Sequence, residues 1–514
     1  MSSSGKAGES PVVEMRGIVK VYPDGTRALQ GVDFVVFKGE IHGLLGENGA
    51  GKTTLMKILA GILRPTRGTI WLEGRRVEFR SSHEALSMGI GMVAQYPALV
   101  PTFTARENIF MGLPRREVDD ERLKSLIKSL GYKIDLDAPI EALSMGLRQK
   151  VEIVKMLYRN VKVLILDEPT TNLTPAEVEE LFEVLRKLKE RGITIIFISH
   201  KLREVLKITD RITVLRRGLV TGVVETSKTS ALELAKLMVG REVELAIEKG
   251  PARPGRVALR VEGLQVLDDR GLPAVKGVSF EAREGEIFGI AGVEGNGQRE
   301  LVEAITGLRP PAGGRVVLYD VDVTGAPPQI LYGMGLAHIP EDRVATGLVV
   351  GMSVVENALL GLQRDRRFVR SLGVIAWDAA RGHVAKLIDE YGIVAPSLSA
   401  PARSLSGGNQ QRLVVAREMS KSPRVVVAAN PTRGLDVAST EFVRRKLVEM
   451  RDSGKAVLLV SADLDEVLQL SDRIAVMYEG KIMGVVEARE ADEKLIGLMM
   501  GGYELDQAKK LLGR

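Results

Sequence analysis

The sequence contains no cysteine among its 514 residues. This absence excludes disulfide bonds and thiolate metal sites, fits a reducing compartment and disfavours the zinc-containing ATPases that act on nucleic acid. The sequence also lacks any uninterrupted apolar run close to the roughly 18 to 20 residues that a membrane-spanning helix needs. We therefore expect a chain that does not cross a bilayer by itself.

A strong excess of charge of one sign is missing as well. The formal net charge of +6 and the pI near 9.2 are spread over the whole length, so they do not by themselves indicate a polyanionic partner. Two dense basic clusters, Arg364 to Arg367 and Arg444 to Lys446, are interpreted as solvated faces and not as binding patches. We predict no nucleic-acid partner.

The composition that is present is globular, with 45% hydrophobic and 27% charged residues. At about 150 residues per domain the length allows roughly two to four domains. Residues Met1 to Ser10 are polar, with no apolar stretch behind a basic start. We expect a short tail there and no signal peptide.

An internal repeat favours two domains. The segment GVDFVVFKGEIHGLLG from Gly31 matches GVSFEAREGEIFGIAG, which begins 246 residues later. The spacing has grown to 262 at Ser144 and Ser406. The second half therefore holds a net 262 − 246 = 16 extra residues, which fall between Glu341 and Leu405.

The junction between the halves is EKGPARPG, whose prolines and glycines break helix and strand alike. We predict a polar tail at 1–10, a first domain at 11–247, a linker at 248–255, a second domain at 256–502 and a C-terminal tail at 503–514. The continuous runs VKVLILD and ITIIFIS indicate central parallel strands covered on both faces. The predicted fold class is α/β.

The first half carries a complete phosphate-binding loop, GENGAGKTT, from Gly46 to Thr54. Its glycines let backbone N–H groups converge on phosphate oxygens, and the following helix adds the positive end of its dipole. Lys52 is expected to reach the β and γ phosphates of ATP, Thr53 to hold Mg²⁺ and Thr54 to contact a phosphate. The preceding strand and following helix favour this interpretation over a structural glycine turn. The predicted nucleotide contacts of the loop are Asn48, Gly49, Ala50, Gly51, Lys52, Thr53 and Thr54.

Two acidic residues end a buried strand in VLILDEPT. Asp167 is expected to hold Mg²⁺ through its water shell, and Glu168 to polarise the attacking water. Adjacent acids can instead cap the next helix, but the complete phosphate loop upstream favours catalysis. His200 ends ITIIFISH and is expected at the tip of the next strand, facing the γ phosphate.

The second half keeps the spacing of the motifs but lacks their catalytic and phosphate-binding residues. Gln298 and Arg299 stand where the loop needs lysine and threonine, Ala429 and Asn430 replace the acid pair, and Ala462 replaces the histidine. These losses remove most of the electrostatic stabilisation that phosphoryl transfer requires, so we predict no useful hydrolysis there. Arg299 keeps one positive charge near the loop, which leaves nucleotide binding open.

Between these motifs lie LSMGLRQK in the first half and LSGGNQQR in the second. The second of these resembles the signature of the ATP-binding cassette family, and the resemblance covers about Pro11 to Gly502. It implies two tandem cassettes, each with a mostly parallel core sheet around the phosphate loop, an antiparallel β subdomain and a helical subdomain. It also implies head-to-tail pairing, in which the site built on Lys52 borrows Ser406, Gly407, Gly408 and Asn409.

The same resemblance implies further roles in the first half. Tyr22 would stack on adenine, and Gln95 in MVAQ would join Mg²⁺ and the attacking water to the transport interface. The expected metal-binding set is then Thr53, Gln95 and Asp167. The expected catalytic set is Glu168, His200 and Gln95.

The motif substitutions follow the two composite sites and not the two halves of the chain. Every part that serves Lys52 is sound, including GLD at Gly434 to Asp436. The opposite site borrows a signature with Met145 in place of Gly407 and a loop that reads Asn172-Leu173-Thr174. This distribution favours one hydrolytic site in a head-to-tail pair, which requires no further homo-oligomer.

A fused double cassette with LSGGNQQR, PEDR and PTRGLDV resembles the ATPase subunit of importers for simple sugars and nucleosides. Sugar importers usually keep an Asp-Glu pair where this chain has AANPTRGLDV, which favours a nucleoside; a simple sugar such as ribose or galactose is the alternative. The resemblance implies two integral-membrane permeases that dock near Gln95 and Glu341, and an extracytoplasmic solute-binding protein. It places the subunit peripherally on the cytoplasmic face of the cell membrane.

Two other classes stay open at this point. Soluble twin-cassette proteins that act on ribosomes or nucleic acid usually keep both sites and a long charged arm between the halves, and this chain has neither. A nucleotide-gated scaffold that never hydrolyses ATP is disfavoured by the intact Glu168 and His200. We therefore predict an ATPase that uses ATP and Mg²⁺.

Overall fold

The structure is a computed structural model that describes residues 11–95, 97–171, 173–240, 247, 249–363, 365–370 and 373–514. The polar tail expected at 1–10, Arg364 of the first basic cluster and Asn172 lie outside these residues. The chain divides into two compact units, with the boundary between Val243 and Glu244.

The described residues of the first unit form ten strands, which lie in two sheets. The strands are β1 (Pro11–Val21), β2 (Arg27–Phe37), β3 (Ile41–Gly46), β4 (Arg67–Leu72), β5 (Arg75–Val77), β6 (Ile90–Val93), β7 (Val163–Asp167), β8 (Thr194–Ser199), β9 (Arg211–Arg216) and β10 (Leu219–Glu225). An antiparallel sheet has the order β2-β1-β4-β5. The larger sheet has the order β10-β9-β3-β8-β7-β6 and is parallel except for β10.

The parallel sheet positions the candidate site. Strands β3, β7 and β8 are buried along their whole length, as predicted for central strands covered on both faces. They are neighbours in the order β3-β8-β7, with Leu45 paired to Ser199 and Asp167 to Ile198. The segments that follow these strands therefore leave the sheet at one edge, side by side.

Eight α-helices, besides short 3-10 turns, complete the described part of the first unit. They are α1 (Lys52–Leu59), α2 (Ser82–Ser87), α3 (Ala105–Phe110), α4 (Asp120–Leu130), α5 (Met145–Tyr158), α6 (Pro175–Glu190), α7 (Leu202–Ile208) and α8 (Ala231–Val239). Helix α1 packs between the two sheets, where Leu55 and Ile58 join one buried apolar cluster with Phe34. Side-chain caps fix several helix starts, such as Ser144 at α5 and Thr174 at α6.

The second unit repeats this architecture. Its strands are β11 (Val257–Leu267), β12 (Pro273–Arg283), β13 (Ile287–Ala291), β14 (Gly313–Leu318), β15 (Val321–Asp322), β16 (Leu336–Ile339), β17 (Val425–Ala429), β18 (Ala456–Ser461), β19 (Arg473–Tyr478) and β20 (Lys481–Glu487). The sheet orders are β12-β11-β14-β15 and β16-β17-β18-β13-β19-β20. They match the first unit strand for strand, which confirms the predicted α/β fold of two tandem cassettes.

The helices of the second unit also follow the repeat, with one more at the end. They are α9 (Gln298–Ile305), α10 (Pro328–Gly333), α11 (Val354–Leu359), α12 (Trp377–Tyr391), α13 (Gly407–Ser420), α14 (Val437–Asp452), α15 (Leu464–Leu470), α16 (Glu493–Met500) and α17 (Leu505–Leu511). Helix α17 lies in the segment predicted as a C-terminal tail, and Ala508 is buried in a cluster with Leu495 and Val486.

The 16 extra residues of the second half enter at three places. The residue numbers of matching positions differ by 246 at Gln95 and Glu341, by 249 at the helix caps Thr104 and Ser353, by 261 at Gly131 and Gly392 and by 262 at Ser144 and Ser406. Three of them therefore lie between Glu341 and Ser353, a segment that contains a π-helical turn at Arg343–Gly347. Twelve lie between Ser353 and Gly392, and one lies between Gly392 and Ser406. Both sheets keep their strand number and order.

Two residues of the predicted linker lie within the second unit and contact its other residues. The Lys249 ammonium donates to the carbonyl of Leu470 at 2.9 Å and pairs with Asp472 at 3.0 Å. Arg451 donates to the carbonyl of Gly250 at 2.9 Å. Across the described part of the chain, no helix is both long and apolar enough to span a membrane.

Candidate functional site

The phosphate loop of the first unit joins β3 to α1 and depends on glycine. Gly49 and Gly51 have φ angles of 78° and 104°, in the left-handed region that side chains disfavour. A Cβ on Gly51 would lie 2.6 Å from the carbonyl oxygen of Ala28. Gly51 is the N-cap of α1 and offers no side-chain cap, so the first N–H groups of the helix can bind an anion.

Lys52 lies inside this loop. Its Nζ donates to the carbonyl oxygens of Gly46 at 2.7 Å and Glu47 at 3.0 Å, and the residue is 5% exposed. Burial lowers the pKa of Lys52, although the carboxylates of Glu168 and Asp167 act in the opposite direction. The loop thus wraps around a cation whose bonds to carbonyl oxygens can be exchanged for phosphate oxygens.

Asp167 and Thr53 meet at the base of the loop. The Thr53 hydroxyl hydrogen-bonds the Asp167 carboxylate, which is 4% exposed. Burial raises the pKa of Asp167, the Thr53 hydrogen bond opposes that rise, and the charge of Glu168 adds to it. A hydroxyl beside a buried carboxylate is an oxygen-donor set of the kind that Mg²⁺ binds together with phosphate and water oxygens, so these residues fit the expected metal.

Tyr22 lies at the end of β1, beside the loop. Its hydroxyl is 3.2 Å from Oγ1 of Thr54, and its ring is 5.6 Å from Nζ of Lys20. The aromatic ring expected to stack on adenine is therefore part of the same cluster as the phosphate loop.

Glu168, Gln95 and His200 form the second half of the cluster. The Glu168 carboxylate accepts hydrogen bonds from Nε2 of Gln95 at 3.2 Å and from Nδ1 of His200 at 3.0 Å. Burial raises the pKa of Glu168, but the hydrogen bond and charge of His200, with Lys52, outweigh burial and leave it below the usual value. An ionised carboxylate at this point can orient and polarise a water.

One residue of the site was missed by the sequence interpretation. Glu204, on α7, accepts hydrogen bonds from Oγ1 of Thr170 at 2.5 Å and from Oγ of Ser199 at 3.3 Å. It thereby links the turn after Glu168 to the end of β8, next to His200. The signal was an acid four residues after His200, which recurs as Glu466 four residues after Ala462.

The second unit repeats this clamp around a site without the catalytic side chains. Glu466 accepts from Thr432 and Ser461, both at 2.7 Å. Asn430 matches Glu168 in number and in backbone, with φ angles of 39° and 48°. Its side-chain oxygen accepts from the backbone N–H of Ala462 at 2.8 Å, so the amide joins the two turns that Glu168 and His200 join in the first unit.

The phosphate loop of the second unit has a different interior. Gln298 donates from Nε2 to the carbonyl oxygen of Val293 at 2.9 Å, close to where Lys52 lies in the first loop. Arg299, whose charge was expected near the loop, donates to Asp269 at 2.5 Å and pairs with Glu303 at 3.3 Å. Its charge is therefore engaged by carboxylates.

The signature of the second unit starts helix α13. Ser406 caps the helix by accepting from the N–H of Asn409 at 3.4 Å, and Nδ2 of Asn409 donates to Oγ of Ser406 at 2.9 Å. A Cβ on Gly408 would lie 2.2 Å from Oγ of Ser439, and one on Gly407 2.8 Å from Nη2 of Arg343. The first unit has Met145 at the position of Gly407.

The structure thus brings together eight predicted residues of the first unit around one loop: Tyr22, Lys52, Thr53, Thr54, Gln95, Asp167, Glu168 and His200. The predicted pairing of Ser406 to Asn409 with this cluster stays a prediction.

Known proteins similar to this chain include full-length relatives. The guanosine import ATP-binding protein NupO of Bacillus subtilis is 43% identical over 98% of this chain and 99% of its own length. The nucleoside import ATP-binding protein NupA of Lactococcus lactis is 41% identical over 96% and 99%. The glucose import ATP-binding protein TsgD13 of Haloferax volcanii is 41% identical over 96% of each chain.

A family model described as ABC transporter matches the chain twice, at residues 29–171 and 275–433. Each match contains a phosphate loop and a signature helix start, so the repeat seen in the sequence and in the two units is a repeat of this domain. The chain belongs to the ABC transporter family and carries two of its ATP-binding cassettes in tandem.

Proposed function

We propose that the chain is the ATP-hydrolysing subunit of an importer, and that it hydrolyses ATP at one site and powers uptake of a nucleoside through partner permeases. The observation that carries this proposal is the joint contact of Glu168 with Gln95 and His200 beside the loop of Lys52. Water activation, phosphate binding and metal binding are thus grouped in the first cassette.

The mechanism follows from the properties of these side chains. The N–H groups at the start of α1 and the Lys52 ammonium bind the β and γ phosphates. Thr53, Gln95 and Asp167 hold Mg²⁺, which neutralises phosphate charge when it is bound. Glu168 orients and polarises the attacking water, and His200 keeps the carboxylate ionised and contacts the γ phosphate. Tyr22 stacks on the adenine.

The remaining donors of the hydrolytic site come from the second cassette. Ser406 begins α13, so its hydroxyl and the N–H groups of Gly407, Gly408 and Asn409 form a donor set suited to a γ phosphate. We assign these donors to the ATP bound by Lys52. The assignment is supported by the intact glycines there and by Met145 at the matching position of the first cassette.

The substrate class rests on two supports. The relatives at 43% and 41% identity include proteins named for guanosine and nucleoside import, and the second cassette lacks the acid pair of sugar importers. A relative at 41% is named for glucose import, so a simple sugar is the alternative cargo. The partners are two integral-membrane permeases and, indirectly, an extracytoplasmic solute-binding protein, with the chain peripheral on the cytoplasmic face.

The test uses the chain purified with its permeases and reconstituted in vesicles. The solute-binding protein delivers nucleosides or sugars while phosphate release is measured, with Glu168→Gln as the control for hydrolysis by this chain. Stimulation by a nucleoside supports the proposal. Stimulation by a pentose or hexose alone keeps the importer and changes the cargo, and stimulation by ribosomes or nucleic acid instead contradicts import.

A further inference from the structure

Three charged residues of the second cassette meet beside its phosphate loop. Nη1 of Arg433 lies 2.6 Å from the carboxylate of Glu294 and also pairs with the carboxylate of Glu341. We call Arg433, Glu294 and Glu341 the arginine triad. Glu294 belongs to the phosphate loop between β13 and α9, Glu341 follows β16, and Arg433 follows β17.

The first cassette has no counterpart of this triad. The matching residues are Asn48, Gln95 and Thr171, at offsets of 246, 246 and 262. All three are uncharged, and Asn48 and Gln95 are among the residues expected to serve ATP and Mg²⁺. Two carboxylates therefore stand in the second cassette where the first presents amides to the nucleotide.

The rest of the second loop does not compensate for these carboxylates. Gln298, at the position of Lys52, is neutral. Its Nε2 donates to the carbonyl oxygen of Val293 at 2.9 Å, and its Oε1 accepts from the N–H of Asn296 at 3.1 Å. Arg299 is engaged by Asp269 and Glu303. A triphosphate there would face two carboxylates without the lysine that binds it in the first cassette.

The adenine side of the second loop is changed too. Asp268 stands at the position of Tyr22, and its carboxylate accepts hydrogen bonds from the N–H groups of Arg270 at 2.9 Å and Leu272 at 2.8 Å. No aromatic ring is available at this position to stack on a base. The cavity beside the second loop is lined by Glu294, Gln298, Arg299, Glu341 and Asn430, so both carboxylates of the triad border it.

We propose that the second phosphate loop binds no nucleotide, and that the arginine triad bridges its loop to the segment after β16 in place of bound Mg-ATP. In the first cassette the corresponding segments are those that carry Asn48 and Gln95, which the proposed function joins through the nucleotide. The inference rests on that function and adds a stoichiometry to it: one ATP per chain. The second cassette then contributes its signature to the first site without being controlled by an ATP bound at its own loop.

The first experiment counts and locates bound ATP. The full chain carrying Glu168→Gln is equilibrated with radiolabelled ATP at concentrations that saturate the first site, and 8-azido-ATP labelling followed by peptide mass spectrometry assigns the cassette. We expect one ATP per chain, label in first-cassette peptides alone, and loss of both in a Lys52→Ala variant. Two ATP per chain, with one surviving Lys52→Ala on second-cassette peptides, overturns the inference and leaves the proposed function intact. ATP hydrolysis that survives Glu168→Gln contradicts the proposed function instead.

The second experiment asks whether the triad is the barrier. Gln298→Lys with Arg299→Thr restores the loop residues of the first cassette while the triad remains, and we expect no second ATP. Adding Glu294→Asn, Glu341→Gln and Arg433→Thr gives the first-cassette residue at all five of these positions, and we expect a second ATP. Binding by the two-residue variant, or no binding by the folded five-residue variant, rejects the triad as the barrier.

A third measurement tests the bridge itself. Arg433→Ala should increase amide hydrogen exchange in residues 294–297 and 341–343 without ATP, because both segments lose their shared partner. Arg260→Ala is the matched control, since its ion pair with Glu281 lies in the same cassette and is similarly exposed, at 36% and 35% against 41% and 40% for Arg433 and Glu294. Equal exchange in both variants contradicts the bridging role.

Discussion

Nδ1 of His200 lies 3.0 Å from the carboxylate of Glu168, and the two residues follow neighbouring parallel strands. Because β7 and β8 pair in register, Glu168 and His200 leave the sheet at the same edge, 32 residues apart in sequence. The contact offsets the effect of burial on the carboxylate and keeps its pKa below the usual value. The pairing of β7 with β8 thus creates the contact between Glu168 and His200 on which the chemistry of the site depends.

Glu168→Gln should abolish turnover and leave ATP bound. Removal of a positioned general base costs about 10²- to 10⁴-fold in rate, and glutamine keeps the shape of the side chain. Phosphate release and ATP binding are measured on the same preparation. Asn430→Ala, at the matching position of the second cassette, should scarcely change the rate; an equal loss there would show that hydrolysis is not confined to the first cassette.

Ser406→Ala should lower the rate of hydrolysis more than Ser144→Ala. Both serines cap their helices through similar bonds, at 3.3 Å for Ser144 and 3.4 Å for Ser406, so each loss costs about 1 kcal/mol of helix stability. Only Ser406 is assigned to the ATP bound by Lys52. The kinetic constants for ATP and the melting temperatures are compared; equal kinetic effects of the two changes reject that assignment.

Glu204→Ala and Glu466→Ala should differ in rate and agree in stability. Each change leaves two hydroxyls without their carboxylate acceptor, at a cost of about 1–3 kcal/mol. Only Glu204 positions catalytic residues, so only its loss should lower kcat. Glu204→Gln, which keeps an acceptor for Thr170, should recover part of that kcat. A kcat unchanged by Glu204→Ala would show that the clamp serves folding alone.

Glu152 should make the stability of the first unit fall as pH rises. Burial raises the pKa of Glu152 to about 7, although the N–H of Ala98, at 2.6 Å, opposes that rise. Because the folded state holds this proton more tightly than the unfolded state, the free energy of unfolding decreases from the unfolded pKa, about 4.3, up to about pH 7. The total loss is about 4 kcal/mol.

The check is the unfolding of the wild type and of Glu152→Gln at several pH values from 5 to 8. Glutamine keeps an acceptor for Ala98 and does not ionise, so this variant should lack the decrease. Glu152→Val, which copies Val414 of the second cassette, controls for the lost hydrogen bond. Parallel pH profiles for the wild type and Glu152→Gln would contradict the assignment.

Gly51→Ala should destabilise the first cassette more than Gly49→Ala. Both residues have positive φ angles, so alanine costs each about 1–2 kcal/mol of backbone strain. The added Cβ meets the carbonyl of Ala28 at 2.6 Å only at Gly51, whereas Gly49 has open space. Chemical denaturation compares the two, and equal losses would mean that the contact relaxes freely.

Much of this arrangement was predictable from local sequence. The phosphate loop, the acid pair and His200 follow continuous apolar runs, and such runs specify central parallel strands whose carboxyl ends share an edge. Once Asp167 is placed at the end of such a strand, and Lys52 and His200 after two others, their proximity follows from the sheet.

The direction of long polar side chains was not predictable in the same way. Arg299 was expected to place its charge near the second loop, and it lines the cavity there, but its pairing with Asp269, 30 residues earlier, and with Glu303 was not foreseen. The arginine triad joins residues up to 139 positions apart, from Glu294 to Arg433. Such contacts depend on which loops the sheet brings together and on which carboxylate is within reach. A local hydrophobic pattern in the sequence predicts neither.

The backbone at Asn430 keeps the turn that is seen at Glu168, although the Asn430 side chain does not supply the carboxylate. Its φ of 39° is close to the 48° of Glu168, and asparagine is the residue besides glycine that tolerates this region best. The carboxylate could therefore be exchanged for an amide without refolding the turn, and the amide still holds the neighbouring segment through Ala462. A duplicated domain can in this way lose its catalytic activity while it remains a complete structural half of the chain.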